Sequence, residues 1–279
     1  MIPRPPLMLA LHRGYFFIVF WFTLWVGSFG FFRPREILRA LPWPVPPLHA
    51  RIVGAMYLAA TVFLLLALLA RTRLQVRTVV DTAFVWTGWL LLISILHWNS
   101  FDLAREQVWF WLVAYVSFPI GAAWLAWRSP PLAVPDDMLI EDAWVLRWLR
   151  AQGAALVLLA LALTLVPGWV AGYWPWPLPT LLAQIYSGPV LGFGVGSLLL
   201  AARRNWPETL IPSVGMVVFA LSALLGSSWH RAAFAADALA TLVWFGVLLV
   251  LATASLWLVV QALLHGHRAG RRLPAARSA

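Results

Sequence analysis

The sequence predicts an all-α integral membrane protein: eight transmembrane helices forming two tandem four-helix parallel repeats, related by a pseudo-twofold axis along the membrane normal. Three observations carry this. The 279 residues are 62% hydrophobic and 11% charged, and the mean hydropathy is +0.83, far from the roughly 45–50% apolar usage of soluble domains. Runs of about 20 apolar residues, enough to cross a hydrocarbon layer, occur eight times. The chain also repeats itself: Pro42-Trp43-Pro44 returns as Pro175-Trp176-Pro177, and the same 133-residue spacing sets Arg71 on Arg204, Ser94 on Ser227, His97 on His230, Phe101 on Phe234 and Trp111 on Trp244.

The spans lie near 14–32, 51–70, 78–98, 107–127, 153–173, 181–202, 209–229 and 238–264. The first follows Arg4, His12 and Arg13 with no small-residue cleavage site, so it reads as a retained signal anchor. An even number of spans per unit brings the second unit in with the orientation of the first. Residues 1–127 form the first repeat. Residues 128–150 form a linker with Pro130, Pro131 and Pro135 and then Asp136, Asp137, Glu141 and Asp142. It reads as capped by Asp136 and followed by a short interfacial helix from Ala143 to Trp148. Residues 151–266 form the second repeat, its last span long and tilted, and 267–279 a basic cytoplasmic tail.

Charge sets the orientation. The net charge is +10 and all 20 basic residues are arginine. About 14 fall on the side of the N-terminus and about six opposite, among them Arg51, Arg105 and Arg231. Both termini then face the cytoplasm of a bacterial inner membrane. The basic excess is a topology signal and not a nucleic-acid surface; the expected partners are membrane lipids and other membrane-protein subunits.

The entrance Pro42-Trp43-Pro44-Val45-Pro46-Pro47 through Arg51, followed by Ile52-Val53-Gly54-Ala55, resembles uncharacterised polytopic membrane proteins of high-GC bacteria. The likeness covers residues 42–70 and, more faintly, 175–204, where Gln184 replaces Arg51. It implies fold and bacterial origin, and it transfers no site residue.

Two absences narrow the chemistry. With no cysteine there is no thiolate metal site, iron–sulfur cluster or thiol nucleophile, and with no lysine there is no Schiff base. No hydrolase, zinc-protease or nucleotide-loop pattern is present, and no catalytic residue, metal or cofactor is expected. Gly192, Gly194 and Gly196 follow a span entrance and read as small residues that let helices approach.

Ionisable groups within spans are functional candidates, because a charge at a helix centre costs about 2.5–3.5 kcal/mol on insertion scales. Only Asp81, one turn inside its helix and paired with Arg77, and Asp237, at the mouth of the last span, come close. The expected outer face is richer, with Trp43, His49 and Arg51 in its first loop and His97, Trp98, Asn99 and Asp102 in the next. The duplicated positions add Trp176, Gln184 and His230. Proline-rich entrances with tryptophan predict loops that dip back onto the bundle around an outward-facing vestibule. His97 and His230 read as interfacial histidines bonded to loop carbonyls; the alternative is a bis-histidine metal or haem site on the axis. Most of the 19 tryptophans fall into two interfacial belts.

Three functions fit these residues. The charge-poor midplane favours a non-catalytic accessory or scaffold subunit of a membrane complex. The repeat favours a carrier or binder of a lipid-like or small apolar molecule. The paired histidines allow a haem- or quinone-linked redox protein.

Overall fold

The computed structural model describes residues 6–37, 41–129, 134–234 and 238–272, with side chains described within 10–265. Arg4, Arg39, Pro130, Pro131, Asp237 and the tail after residue 272 lie outside the described residues. Ten helices account for most of the rest: α1 (Pro6–Phe32), α2 (Pro34–Ile37), α3 (Pro47–Leu69), α4 (Arg73–Leu96), α5 (Glu106–Arg128), α6 (Ala143–Leu165), α7 (Pro167–Ala171), α8 (Thr180–Arg203), α9 (Trp206–Trp229) and α10 (Leu239–Arg272). Eight of them, all but α2 and α7, are long and apolar enough to cross a membrane, and no strand occurs among the described residues.

Helix ends recur at the repeat spacing. α4 runs from 73 to 96 and α9 from 206 to 229; single 3-10 turns follow at Trp98–Ser100 and Arg231–Ala233. α1 and α6 end at Phe32 and Leu165, and α5 and α10 begin at Glu106 and Leu239. Each pair is 133 residues apart. The caps recur too. Thr72 Oγ1 accepts from Gln75 N–H while Gln75 Oε1 accepts from Thr72 N–H, closing a capping box ahead of α4. Ahead of α9, Asn205 Oδ1 accepts from Glu208 N–H and its amide donates to Glu208 Oε1.

Packing defines an inner and an outer set. Within the repeats α1 lies on α3, α5 on α4, α6 on α8 and α10 on α9; between them α3 lies on α9 and α4 on α8. Small residues permit these approaches, as membrane helices lack a solvent-driven hydrophobic push. A Cβ on Gly54 would stand 2.4 Å from the Phe31 nitrogen, so α1 and α3 touch backbone to backbone there. Phe63 of α3 covers Gly215 of α9, where a Cβ would meet its ring at 1.7 Å. At the positions 133 residues on, small and large exchange places: Gly196 of α8 takes Thr82 of α4, whose Oγ1 is 2.8 Å from the Cβ position. Gly192 likewise faces Trp86 of α4, and Gly194 faces Val157 of α6.

The linker departs from expectation. Asp142, not Asp136, caps α6, its Oδ1 accepting from Trp144 N–H at 2.7 Å. Asp136 begins a 3-10 turn instead, and Leu139 bridges to Asn205 in the turn between α8 and α9. From Asp142 nothing breaks the backbone ladder before Val166-Pro167, so the interfacial helix and the fifth span are one helix of 23 residues.

Candidate functional site

At one end of the bundle the entrance of each α3-like helix meets the terminus of an α4-like helix from the other repeat. Arg51, one turn into α3, donates Nε to the Phe31 carbonyl at 3.1 Å and Nη1 to His230 Nε2 at the end of α9. Its guanidinium also lies 5.0 Å from the Trp229 ring centre. Gln184, the corresponding residue of α8, donates Nε2 to the Thr164 carbonyl at 2.8 Å and bonds through Oε1 to His97 Nε2 at the end of α4. Phe31 and Thr164 are themselves 133 residues apart, so all three bonding positions recur.

The two pairs nonetheless run in opposite senses. Arginine only donates, so His230 is neutral at Nε2 and accepts. The Thr164 carbonyl fixes the amide of Gln184 with its oxygen toward His97, so His97 donates from Nε2. Burial, and then the positive charge of Arg51, hold the His230 pKa below the usual imidazole range. The sequence reading expects both histidines to bond loop carbonyls; at Nε2 they bond Arg51 and Gln184 instead. An axial-ligand role through that atom would break the bond between the repeats.

The Pro-Trp-Pro loops dip back as predicted. Trp43 and Trp176 are 5% and 3% exposed. Trp43 packs edge-on to Trp111 at 4.6 Å, and Trp176 to Trp244 at 4.9 Å. The partner indoles donate to Ser94 Oγ and Ser227 Oγ, both at 2.9 Å. Trp176 and Trp174 bury indole N–H groups that find no partner. His49 is buried, its Nε2 donating to the Pro177 carbonyl and its Nδ1 accepting from the Tyr186 hydroxyl at 2.7 Å. Arg105, which sequence reasoning passed over, donates to the Leu41 carbonyl and holds the first loop. Trp98 and Asp102 are exposed in the connection after α4, where Asp102 accepts from Ala104 N–H. Seven of the ten residues expected on the outer face therefore contact other parts of the bundle, while Trp98, Asn99 and Asp102 are exposed.

The opposite end holds a charge cluster that was not foreseen. Arg203, the last residue of α8, donates to Asp81 Oδ2 at 2.6 Å and to Glu208 Oε2 and Thr78 Oγ1, each at 3.0 Å. Thr78 donates to Glu208 at 2.5 Å. Glu208 is wholly buried, and Arg77 approaches it at 3.9 Å. Asp81 thus pairs with Arg203 and not with Arg77 of its own helix. Arg204 in the left-handed conformation (φ 53°) turns the chain within two residues and sets Arg203 beside Glu208. The corresponding positions of the first repeat are Ala70 and Gln75, so this cluster exists once. The signal for Glu208 was its place three residues after Asn205, which also reads as an ordinary cap.

Between the ends lie two cavities. One of about 40 Å³ is lined by residues including Val19, Ala60, Phe63, Leu64, Val79 and Ala83. The other, about 20 Å³, is lined by the residues 133 positions later, Gln152, Phe193, Gly196, Ser197, Pro212 and Met216, among others. Phe63 and Thr82 line both. The first is apolar apart from the hydroxyls of Thr23, Thr82, Thr87, Tyr57 and Tyr115; the second gathers a carboxamide and four hydroxyls. No protein-family model, curated protein or solved structure matches this chain.

Proposed function

We propose that the chain is a multi-pass inner-membrane carrier whose two repeats, related by a pseudo-twofold axis along the membrane normal, bind a lipid-like or small apolar molecule between them. One observation carries the reading: polar bonds between the repeats gather at the two ends, Arg51–His230 and Gln184–His97 at one, Arg203–Asp81 and Thr78–Glu208 at the other. The stretch between them is held by Phe63 on Gly215 and Thr82 on Gly196, contacts that can slide, and by the Trp89 indole, which donates to Ser187 Oγ at 2.9 Å. Closures at both ends of duplicated internal cavities suit a protein that opens to one side at a time. Arg71, Arg73, Arg77, Arg147 and Arg150 gather at the Arg203 end, which supports a cytoplasmic placement for it.

The cysteine-free chain provides the test. Ser197→Cys reports on the space between the repeats. In proteoliposomes, a membrane-impermeant maleimide labels it from the arginine-rich side when Glu208→Gln loosens that end, and from the other side when Arg51→Ala and Gln184→Ala loosen the histidine end. Protection from both sides in both backgrounds rejects the carrier. An accessory subunit would instead co-purify with a stoichiometric membrane partner, and a haem protein would absorb in the Soret region.

A further inference from the structure

We infer that the smaller cavity is a binding site for one sodium-sized monovalent cation. At about 20 Å³ it holds a single water-sized occupant. Its polar lining consists of Gln152 on α6, Ser197 on α8, Ser213 on α9, Ser255 on α10 and Thr82 on α4, all buried, so five helices from both repeats contribute. Gln152 is 9% exposed; its amide nitrogen donates to Ser197 Oγ at 2.9 Å, while its carbonyl oxygen has no partner. A buried acceptor left without a donor or cation is destabilising, so the oxygen points to an occupant. Ser197 spends its own proton on the Phe193 carbonyl at 2.9 Å. Pro212, inside α9 and in the cavity wall, lacks the N–H that the Glu208 carbonyl would otherwise receive.

Gln152 Oε1 and Ser197 Oγ therefore face the chamber as acceptors, and the hydroxyls of Thr82, Ser213 and Ser255 can turn their protons away, so the chamber offers oxygen lone pairs of the kind a hard cation takes. No carboxylate lines it, so its ligands are neutral and match a single positive charge, not a divalent ion. Asp81 is the residue before Thr82 on α4, and Glu208 lies one turn before Pro212 on α9; their charges are met by Arg203, and no cationic side chain lines the chamber itself. At the first-repeat positions of Gln152, Ser197 and Ser213 stand Val19, Leu64 and Val80, so the equivalent cavity has no counterpart of this polar set. The role of the ion as a coupling ion rests on the carrier reading; its binding does not.

The full chain in mild detergent is melted in sodium chloride and in choline chloride at equal ionic strength. Sodium raises the midpoint by several degrees in a saturable manner, because a ligand of the folded state stabilises it by mass action. Gln152→Ala removes the sodium response while melting cooperatively in choline. Ser255→Ala, a smaller change, weakens the response and serves should Gln152→Ala fail to fold. Equal midpoints in the two salts, as an occupant water would give, overturn the proposal, and so does an undiminished response in either variant. A sodium response together with complete maleimide protection of Ser197→Cys would retain the ion site and reject the carrier.

Discussion

Arg51 donates to His230 across the boundary between the repeats, from the start of α3 to the end of α9. The bond requires a neutral imidazole. In the unfolded chain His230 takes up a proton near pH 6.5, whereas in the fold its pKa is lower. The unfolded state then binds more protons, so stability falls as the pH drops below about 6.5 toward the folded pKa. Melting in detergent should show this loss. Arg51→Gln, which copies the Gln184–His97 pair, removes the repelling charge but not the burial and should lessen the loss; an unchanged slope would refute the assignment.

Glu208→Ala strands Arg203 beside Thr78 with Asp81 as its remaining counterion. Breaking a buried pair by removing one partner costs about 3 kcal/mol or more. Arg203→Met and Asp81→Asn added to Glu208→Ala remove the remaining charges of the cluster and should recover part of this, which a mutant cycle of unfolding free energies measures.

Gly215→Ala drives a methyl into the Phe63 ring. Overpacking costs about 1–3 kcal/mol, and Phe63→Leu in the same chain should relieve most of it. Additivity of the two changes in denaturation would show that the contact is not close.

The two caps predict unequal losses. Asn205→Ala removes both the acceptor for Glu208 N–H and the donor to its carboxylate, at about 1–2 kcal/mol. Thr72→Ala, at an exposed helix start, should cost less.

Indole N–H groups give a sharper contrast. Trp244→Phe loses the bond to Ser227 and should destabilise by about 1 kcal/mol. Trp176→Phe removes a buried donor that has no partner and should be neutral or stabilising in the same melting assay.

Much of the architecture was legible because it follows from period and length. Eight apolar runs became eight long helices, and proline beside tryptophan brought Trp43 and Trp176 into the bundle. What escaped was partnership. Asp81 has an arginine four residues before it, and local spacing selected Arg77; the partner in the fold comes from the other repeat, which no helix-face rule can see. Glu208 was hidden by its second role as a cap. In the linker four acids offered competing caps, and the choice of Asp142 depends on Leu139 meeting Asn205, a tertiary contact. The histidines were found at the right positions, but their partners, Arg51 and Gln184, lie across a boundary that the repeat alone does not pair.

The single copy of the Arg203 cluster has a mechanical consequence. A charged network, Arg203 with Asp81 and Thr78 with Glu208, fastens the halves at one extremity, whereas the other is fastened by Arg51 on His230, Gln184 on His97 and His49 on Pro177 and Tyr186. The duplicated halves are therefore not mechanically interchangeable: loss of charge at residue 203 or 208 loosens one extremity, and Ala70 and Gln75 offer no equivalent lock in the first half.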